Sequence, residues 1–323
     1  MKAWRVHQLE GPEAMRLEDL PTPQPGPRQA LVRVDAAALN FLDTLVVRGQ
    51  YQVRPELPFT PGVELAGEVL ETGPESRLRP GQRVCGLVDF GAFAEQAVID
   101  DDDVVLIPDG VDAATAAAIP VVYPTAYCGL KLRAGIREGD IVLVHAGAGG
   151  VGLATIHLAR AWGARVIATA GGEAKLELCR QQGAELAVDY NDAGWLQTVR
   201  EHVGKRGVDI VMDIVGGQVS EDSLRCMGWG GRLLIVGFAA GGIPQIPANR
   251  LLLKNLSAMG VIWGEHRKHH PEVVKPTFDE IFSLLQAGQF TPVISARYPL
   301  DAVPDAIRAL GSRATTGKVI IEP

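Results

Sequence analysis

The stretch Ile141-Val-Leu-Val-His145-Ala-Gly147-Ala-Gly149-Gly150-Val-Gly152 runs directly into a helical pattern from Leu153 to Trp162, and it constrains the fold more than any other segment. It reads as strand, glycine turn, helix. β-branched residues lead in, and Val151, Ala154, Leu158 and Trp162 form an apolar stripe behind. In such a unit Gly147 permits the turn off the strand, Gly149 lets a pyrophosphate approach the backbone, and Gly152 lets the helix pack closely on the sheet. The N-terminus of the helix adds unpaired N–H groups and a partial positive charge. In a chain with 37 glycines the spacing alone is weak evidence. Its place between a strand and a helix makes it a dinucleotide-site prediction.

From Asp140 the pattern is strict. Strand candidates at 141–145, 165–169, 186–190, 208–214, 232–237 and 256–262 alternate with helices at about 150–162, 173–182, 193–203 and 219–228. This alternation predicts an α/β fold with a doubly wound parallel sheet and its ligand across the carboxyl ends of the strands. Before it, short β-rich segments (30–35, 64–70, 82–88, 91–99) broken by Pro and Gly predict an irregular β domain, and 113–132 turns helical around Pro120 and Pro124. After Pro271 come a helix over 273–287 and short strands near 293–298 and 317–322, which we expect to return to the first domain. The predicted domains are therefore 1–120 with 270–323, and 121–269.

At 323 residues, 47% hydrophobic and 21% charged, the chain suits two folded domains. Its net charge of −7, with no basic tract, argues against nucleic-acid binding and favours small-molecule chemistry. The start Met1-Lys-Ala-Trp-Arg-Val-His lacks an apolar signal core and no run is long enough to span a membrane, so a cytoplasmic location is expected. Cys85, Cys128, Cys179 and Cys226 are widely scattered, as buried free thiols would be.

The second strand of the predicted sheet ends Val166-Ile-Ala-Thr-Ala170-Gly171-Gly172, without the carboxylate that binds the ribose 2′-hydroxyl of NAD. Glu173 follows only where the next helix begins, a position favoured by the helix dipole. An uncharged turn followed by Lys175 suits a 2′-phosphate, so NADPH is the expected cofactor.

Asn40-Phe-Leu-Asp43, Arg48-Gly49-Gln-Tyr51, Pro61-Gly62-Val-Glu64-Leu-Ala-Gly67, Thr125-Ala126-Tyr127 and the glycine turn come in a characteristic order. Gly183-Ala184, Asp189-Tyr190, Gly216-Gly217, Gly230-Gly231-Arg232, Gly237-Phe238 and Gly317-Lys318 continue it. The ordered set resembles the zinc-independent quinone oxidoreductases of the medium-chain dehydrogenase/reductase family, over nearly the whole chain. The resemblance implies a GroES-like, irregular β-barrel substrate domain built from both chain ends and a Rossmann domain between them. It also implies no metal: zinc-dependent relatives carry Cys at the position of Asn40 and His at that of Val63, and neither replacement is a zinc ligand.

By the same resemblance, Asn40 and Thr125 lie beside the nicotinamide and its ribose, and Gly149, Gly150 and Val151 cradle the pyrophosphate. Lys175 and Tyr190 contact the 2′-phosphate near Gly171, Gly237 and Phe238 border the nicotinamide, and Val261 and Lys318 belong to the same neighbourhood. Asn40 has the alternative of capping a helix beginning at Phe41, and Lys175 that of a solvated helix-face lysine. Tyr51 and Tyr123 are the candidate polar groups for the acceptor, since a phenol can donate to an oxygen that gains charge as hydride arrives. Asp43 either orients the site or completes a helix-start pair with Asn40.

Other patterns carry less. Tyr127-x-x-x-Lys131 has a short-chain dehydrogenase spacing but precedes the glycine turn, and Gly311 to Lys318 imitates a phosphate loop with the wrong spacing. His266, His269 and His270 fall in an expected exposed linker, and His145 abuts the turn as part of the strand end. The expected function is hydride transfer from NADPH to a small quinone. The alternatives are reduction of an activated alkene (enone or enoyl thioester), or a low-turnover nucleotide-binding regulatory protein. The apolar segment 256–263, read as an edge strand, predicts a homodimer.

Overall fold

A computed structural model describes residues 1–323 and separates them into two units. The first comprises Met1–Val121, Pro271–Phe282 and Thr291–Pro323; the second comprises Val122–His270 and Ser283–Phe290.

The second unit is built on a six-stranded parallel sheet in the spatial order Leu186–Asp189, Arg165–Ala170, Ile141–Val144, Val208–Asp213, Met227–Ile235, Ser257–Gly260. Counted along the chain, this is the 3-2-1-4-5-6 order of a Rossmann sheet. Ile141–Val144 is buried along its whole length because helices cover both faces of a parallel sheet, which is why the strand reads as an unbroken apolar run.

Two boundaries differ from expectation. The fifth strand starts at Met227 rather than near 232, and the helix before it is Gly217–Cys226. Val208 pairs with Met227 while Ile210 pairs with Arg232, so the fifth strand bulges there, and a Cβ on Gly228 would collide with the Arg206 carbonyl. Glycine at 228 is what the close approach at the bulge requires. The sixth strand is only Ser257–Gly260, and the expected linker after it is the helix Trp263–His269, with Arg267 buried. Residues 283–290 also join this unit, although the sequence groups them with the first. The reason is Phe290, whose ring stacks on Tyr123 at 4.6 Å and on His157 at 5.5 Å.

The first unit is a seven-stranded sheet centred on Gln29–Ala38. That strand pairs antiparallel with Glu64–Thr72, with Gln96–Asp100 near its start and with Lys318–Glu322 at its end. The last strand of the chain thus closes against an early one. Phe93, Leu65 and Ile99 are completely enclosed in the core.

Candidate functional site

In the second unit the glycine turn divides its tasks differently from the sequence reading. The left-handed backbone step falls on Ala146, with φ of 51°, and not on Gly147. Gly147 is required by packing: a Cβ there would lie 2.8 Å from Ala168 Cβ and 3.0 Å from Cys179 Sγ. Gly152 is required by the turn itself, since its Cβ would lie 2.7 Å from Gly147 Cα and closer still to the Ala146 carbonyl oxygen. Gly149 differs from both, because a Cβ there would meet only the Ala146 oxygen, at 3.3 Å. Its surroundings are therefore the least crowded of the three, and a side chain there would require only a small shift of that carbonyl. Helix Gly150–Ala161 starts immediately after it, and its first intrahelical bond runs from Leu153 N–H to Gly149 O at 2.8 Å. The N–H groups of Gly150, Val151 and Gly152 thus stand at the open end of a 12-residue helix.

Beneath the turn, His145 is fully buried and both ring nitrogens are engaged, Nδ1 with Thr169 Oγ1 and Nε2 with Ser223 Oγ, each at 2.7 Å. The Ser223 hydroxyl donates to Val219 O, so His145 Nε2 carries the proton and Nδ1 accepts from Thr169. Burial pushes the imidazole down to about 4, against the opposing charge of Asp213. His145 is a structural tie, and Thr169 O holds Gly147 N–H at 2.8 Å in the same assembly.

The second strand ends at Ala170, and the chain turns through Gly171 and Gly172 into helix Glu173–Gln181. Glu173 is drawn along that helix by Arg180, at 2.7 Å. A Cβ on Gly171 would sit 3.1 Å from Asn191 Nδ2 and 3.2 Å from Tyr190 Oη, so Gly171 and Tyr190 share one corner. Asp189, which the sequence marks only as part of the resemblance, meets the same turn. Its carboxylate accepts N–H bonds from Asn191 at 2.8 Å and Gly172 at 2.9 Å, which hold it below the usual carboxylate range. Lys175, half-buried, lies one turn into the helix, its N–H bonded to Gly172 O.

Gly237 and Phe238 follow the end of the fifth strand, and the ring of Phe238 packs where a Cβ on Gly216 would be, at 2.9 Å. Val261 follows the sixth, is buried, and bonds through its N–H to Ile235 O. The glycine turn, Gly171, Tyr190, Gly237, Phe238 and Val261 therefore all lie at the carboxyl edge of one parallel sheet.

Thr125 sits on helix Val122–Tyr127 and is mostly buried. Pro124 is tolerated there because it falls in the first turn, where N–H groups lack helical partners. Tyr123 requires a correction. It is only 2% exposed, its hydroxyl lies 2.9 Å from His157 Nδ1, and its ring stacks on Phe290. His157 Nε2 donates to Gln182 Oε1 at 2.8 Å, so the Tyr123 hydroxyl is the donor to Nδ1. That phenol is enclosed in the core with its hydroxyl committed to His157.

In the first unit, Asn40 ends the central strand and precedes helix Phe41–Val46. Its side chain joins a buried charged group. Asn40 Nδ2 donates to Glu64 Oε1 at 2.6 Å, while Lys318 Nζ donates to Asn40 Oδ1 and Leu39 O, both at 2.8 Å, and to Glu64 Oε1. Glu64 Oε2 accepts the Val121 N–H at 2.8 Å. Glu64 and Lys318 are 0% and 3% exposed. Lys318 is therefore held inside the domain by oxygen acceptors, a different position from that of a direct cofactor contact. Asp43 accepts the Asn40 backbone N–H at 2.7 Å. Burial pushes its carboxyl up to about 7; the Asn40 N–H, Lys318 and the Gly62 N–H oppose the shift, and nearby Glu64 adds to it. Tyr51 is half-buried, packed against the core of this unit. No group of three or more His, Cys, Asp or Glu side chains converges to hold a metal ion. No helix is long and apolar enough to cross a membrane.

Residues 26–109 match the family described as alcohol dehydrogenase GroES-like domain, and residues 150–281 that described as zinc-binding dehydrogenase. Quinone oxidoreductase-like protein 2 of Rattus norvegicus is 42% identical over 302 residues, spanning 93% of this chain and 86% of that protein. Among solved structures, the quinone oxidoreductase of Thermus thermophilus, described with its NADPH complex, shares 35% identity at a TM-score of 0.88. The Escherichia coli quinone oxidoreductase complexed with NADPH shares 28% at 0.94, and both structures match over the full length of each chain.

Proposed function

Because the chain belongs to the quinone oxidoreductase branch of the medium-chain dehydrogenase/reductase family, we propose that it reduces small quinones with NADPH and without a metal. The observation that carries this reading is the row of candidate cofactor residues along the carboxyl edge of the parallel sheet, with Gly149 less crowded by protein than Gly147 and Gly152. Bound NADPH would supply the hydride. The chain's part is to bind, orient and exclude water. We assign the pyrophosphate to the N–H groups of Gly150, Val151 and Gly152, and the 2′-phosphate to Lys175 and Tyr190 beside Gly171. Phe238 and Val261 offer apolar walls to the nicotinamide, and Asn40 and Thr125 its polar contacts.

The donor set argues against zinc. The positions that carry Cys and His in zinc-dependent relatives are Asn40 and Val63, and the surrounding charge is a carboxylate already neutralised by Lys318. The enclosure of Tyr123 also bears on the acceptor. A quinone that has taken hydride is a stabilised phenolate that solvent protonates, whereas an activated alkene leaves a carbanionic carbon that needs a placed acid. Tyr123, committed to His157, is not placed to be that acid, which favours the quinone.

NADPH oxidation with simple quinones, run with and without a chelator, tests the proposal. Chelator-insensitive turnover supports it; loss of turnover on chelation, or tight NADPH binding with no turnover on any quinone, refutes it.

We also propose a homodimer. The edge strand Ser257–Gly260 is largely exposed, and Leu252, Leu253 and Ile262 beside it are 79%, 72% and 55% exposed. Light scattering at micromolar concentration should give twice the chain mass, and Leu252→Asp with Leu253→Asp should give monomers; a monomeric parent protein contradicts the proposal.

A further inference from the structure

Lys318 and Glu64 form an ion pair with almost no contact with water. Removing two charges from water costs more than their attraction returns in many buried pairs, so stability alone is a poor reason for keeping one. The geometry supplies another. The antiparallel register that sets Ile320 opposite Ala38 and Ile321 opposite Ala37 brings Lys318 opposite Asn40, and Leu39 N–H bonds to Val319 O at 2.9 Å. Just before Lys318, Gly317 adopts a left-handed backbone with φ of 54°, and a Cβ there would lie 3.0 Å from Val293 C. The start of the strand is thereby fixed against its neighbour.

An ammonium has three hydrogens, and Leu39 O, Asn40 Oδ1 and Glu64 Oε1 accept all of them. Lys318 has none left for a phosphate. What the pair does hold is the Asn40 amide, whose oxygen faces the ammonium and whose nitrogen faces the carboxylate. Rotating that amide by half a turn would set NH₂ against the ammonium and oxygen against the carboxylate, two repulsive contacts in a dry site. The second Nδ2 hydrogen has only the distant Ala38 O, at 3.4 Å, inside the protein.

We propose that Lys318 and Glu64 are positioning residues that lock the Asn40 amide in one orientation, so that it offers an N–H donor to a carbonyl oxygen of the bound nicotinamide or acceptor. The inference rests on the assignment of Asn40 made under the proposed function.

A double-mutant cycle on kcat tests it, because a merely structural pair would not couple to Asn40. The uncharged variant Lys318→Met with Glu64→Gln should lower kcat by about a hundredfold, the scale of a small misplacement at the reacting centre. Its KM for NADPH should stay near that of the parent. In the Asn40→Ala background the same two changes should lower kcat no further. Losses that multiply in that background overturn the positioning role while leaving the Asn40 assignment standing. An Asn40→Ala variant with undiminished kcat overturns the assignment, and the positioning role with it. Should the uncharged variant fail to fold, Lys318→Arg keeps the charge, but a planar fork does not match acceptors gathered round one nitrogen. A lower kcat at unchanged KM for NADPH then supports the proposal, and an unchanged kcat overturns it.

Discussion

The two units arrange their candidate residues by opposite means. In the nucleotide unit the important feature is absence: glycines at 147, 149, 152 and 171 remove side chains so that neighbouring side chains, backbone or a ligand can approach the chain closely. In the other unit it is a concentration of charge, with Glu64, Lys318 and Asp43 all buried round the single amide of Asn40. A site made from missing side chains is sensitive to added volume, and one made from buried charges to removed charge.

The largest expected effect is at Gly152. Gly152→Ala forces backbone apart at the turn, and should abolish measurable NADPH binding and lower Tm by about 5 °C or more. Gly149→Ala should leave Tm near the parent value and weaken NADPH by at least about tenfold, because only the ligand side is obstructed. Thermal melts with fluorescence titration separate the two. A Gly149→Ala variant that melts as early as Gly152→Ala would remove the distinction between them.

Next in size is the buried pair. Lys318→Met alone leaves an uncompensated carboxylate in a dry site and should cost about 3–5 kcal/mol in denaturant unfolding. Adding Glu64→Gln should recover most of that loss. If the single and double variants are equally unstable, the pair contributes packing and not charge balance.

Lys175→Ala should weaken NADPH about tenfold while leaving NADH unchanged, the loss of one charge-assisted hydrogen bond. Equal losses for both nucleotides would place Lys175 away from the 2′-phosphate.

The smallest expected effect is the net pH dependence of the parent, in which the units oppose each other. His145 is held neutral, down at about 4, so between there and the ordinary histidine range the unfolded chain binds more protons and stability rises with pH. Asp43, up at about 7, binds its proton more tightly when folded, so its contribution is lost as pH rises from the ordinary carboxylate range to 7. Tm measured at about pH 4.5 and 6.5 should therefore shift its slope in opposite senses relative to the parent. His145→Gln should make it less positive and Asp43→Asn more positive. Shifts of the same sign would contradict these assignments.

The contrast between the units also explains what could be read from the sequence. Strand, turn and helix are contiguous between Ile141 and Ala161, so the glycine spacing together with its setting between strand and helix was enough to find the turn and the alternation that follows it. The division of tasks among its glycines was not legible, because the left-handed step at Ala146 and the contact of Gly147 with Cys179 depend on neighbouring elements. The Met227 bulge was hidden for a related reason, since Gly230 and Gly231 signal a turn and a bulge equally well. The enclosure of Tyr123 was not legible, because nothing near it in the sequence points to Phe290, whose ring stacks on it. The group at Asn40 was least legible of all: Glu64 and Lys318 meet it from positions 24 and 278 residues away, and only the register of the last strand brings them together.

The most direct experiment is steady-state oxidation of NADPH by a simple quinone in the presence of a strong chelator, with the reduced product identified. Metal-free hydride transfer predicts quinol formation at a rate the chelator does not change, and with NADPH preferred over NADH. Turnover that disappears on chelation, or its absence with every quinone despite tight NADPH binding, would contradict it.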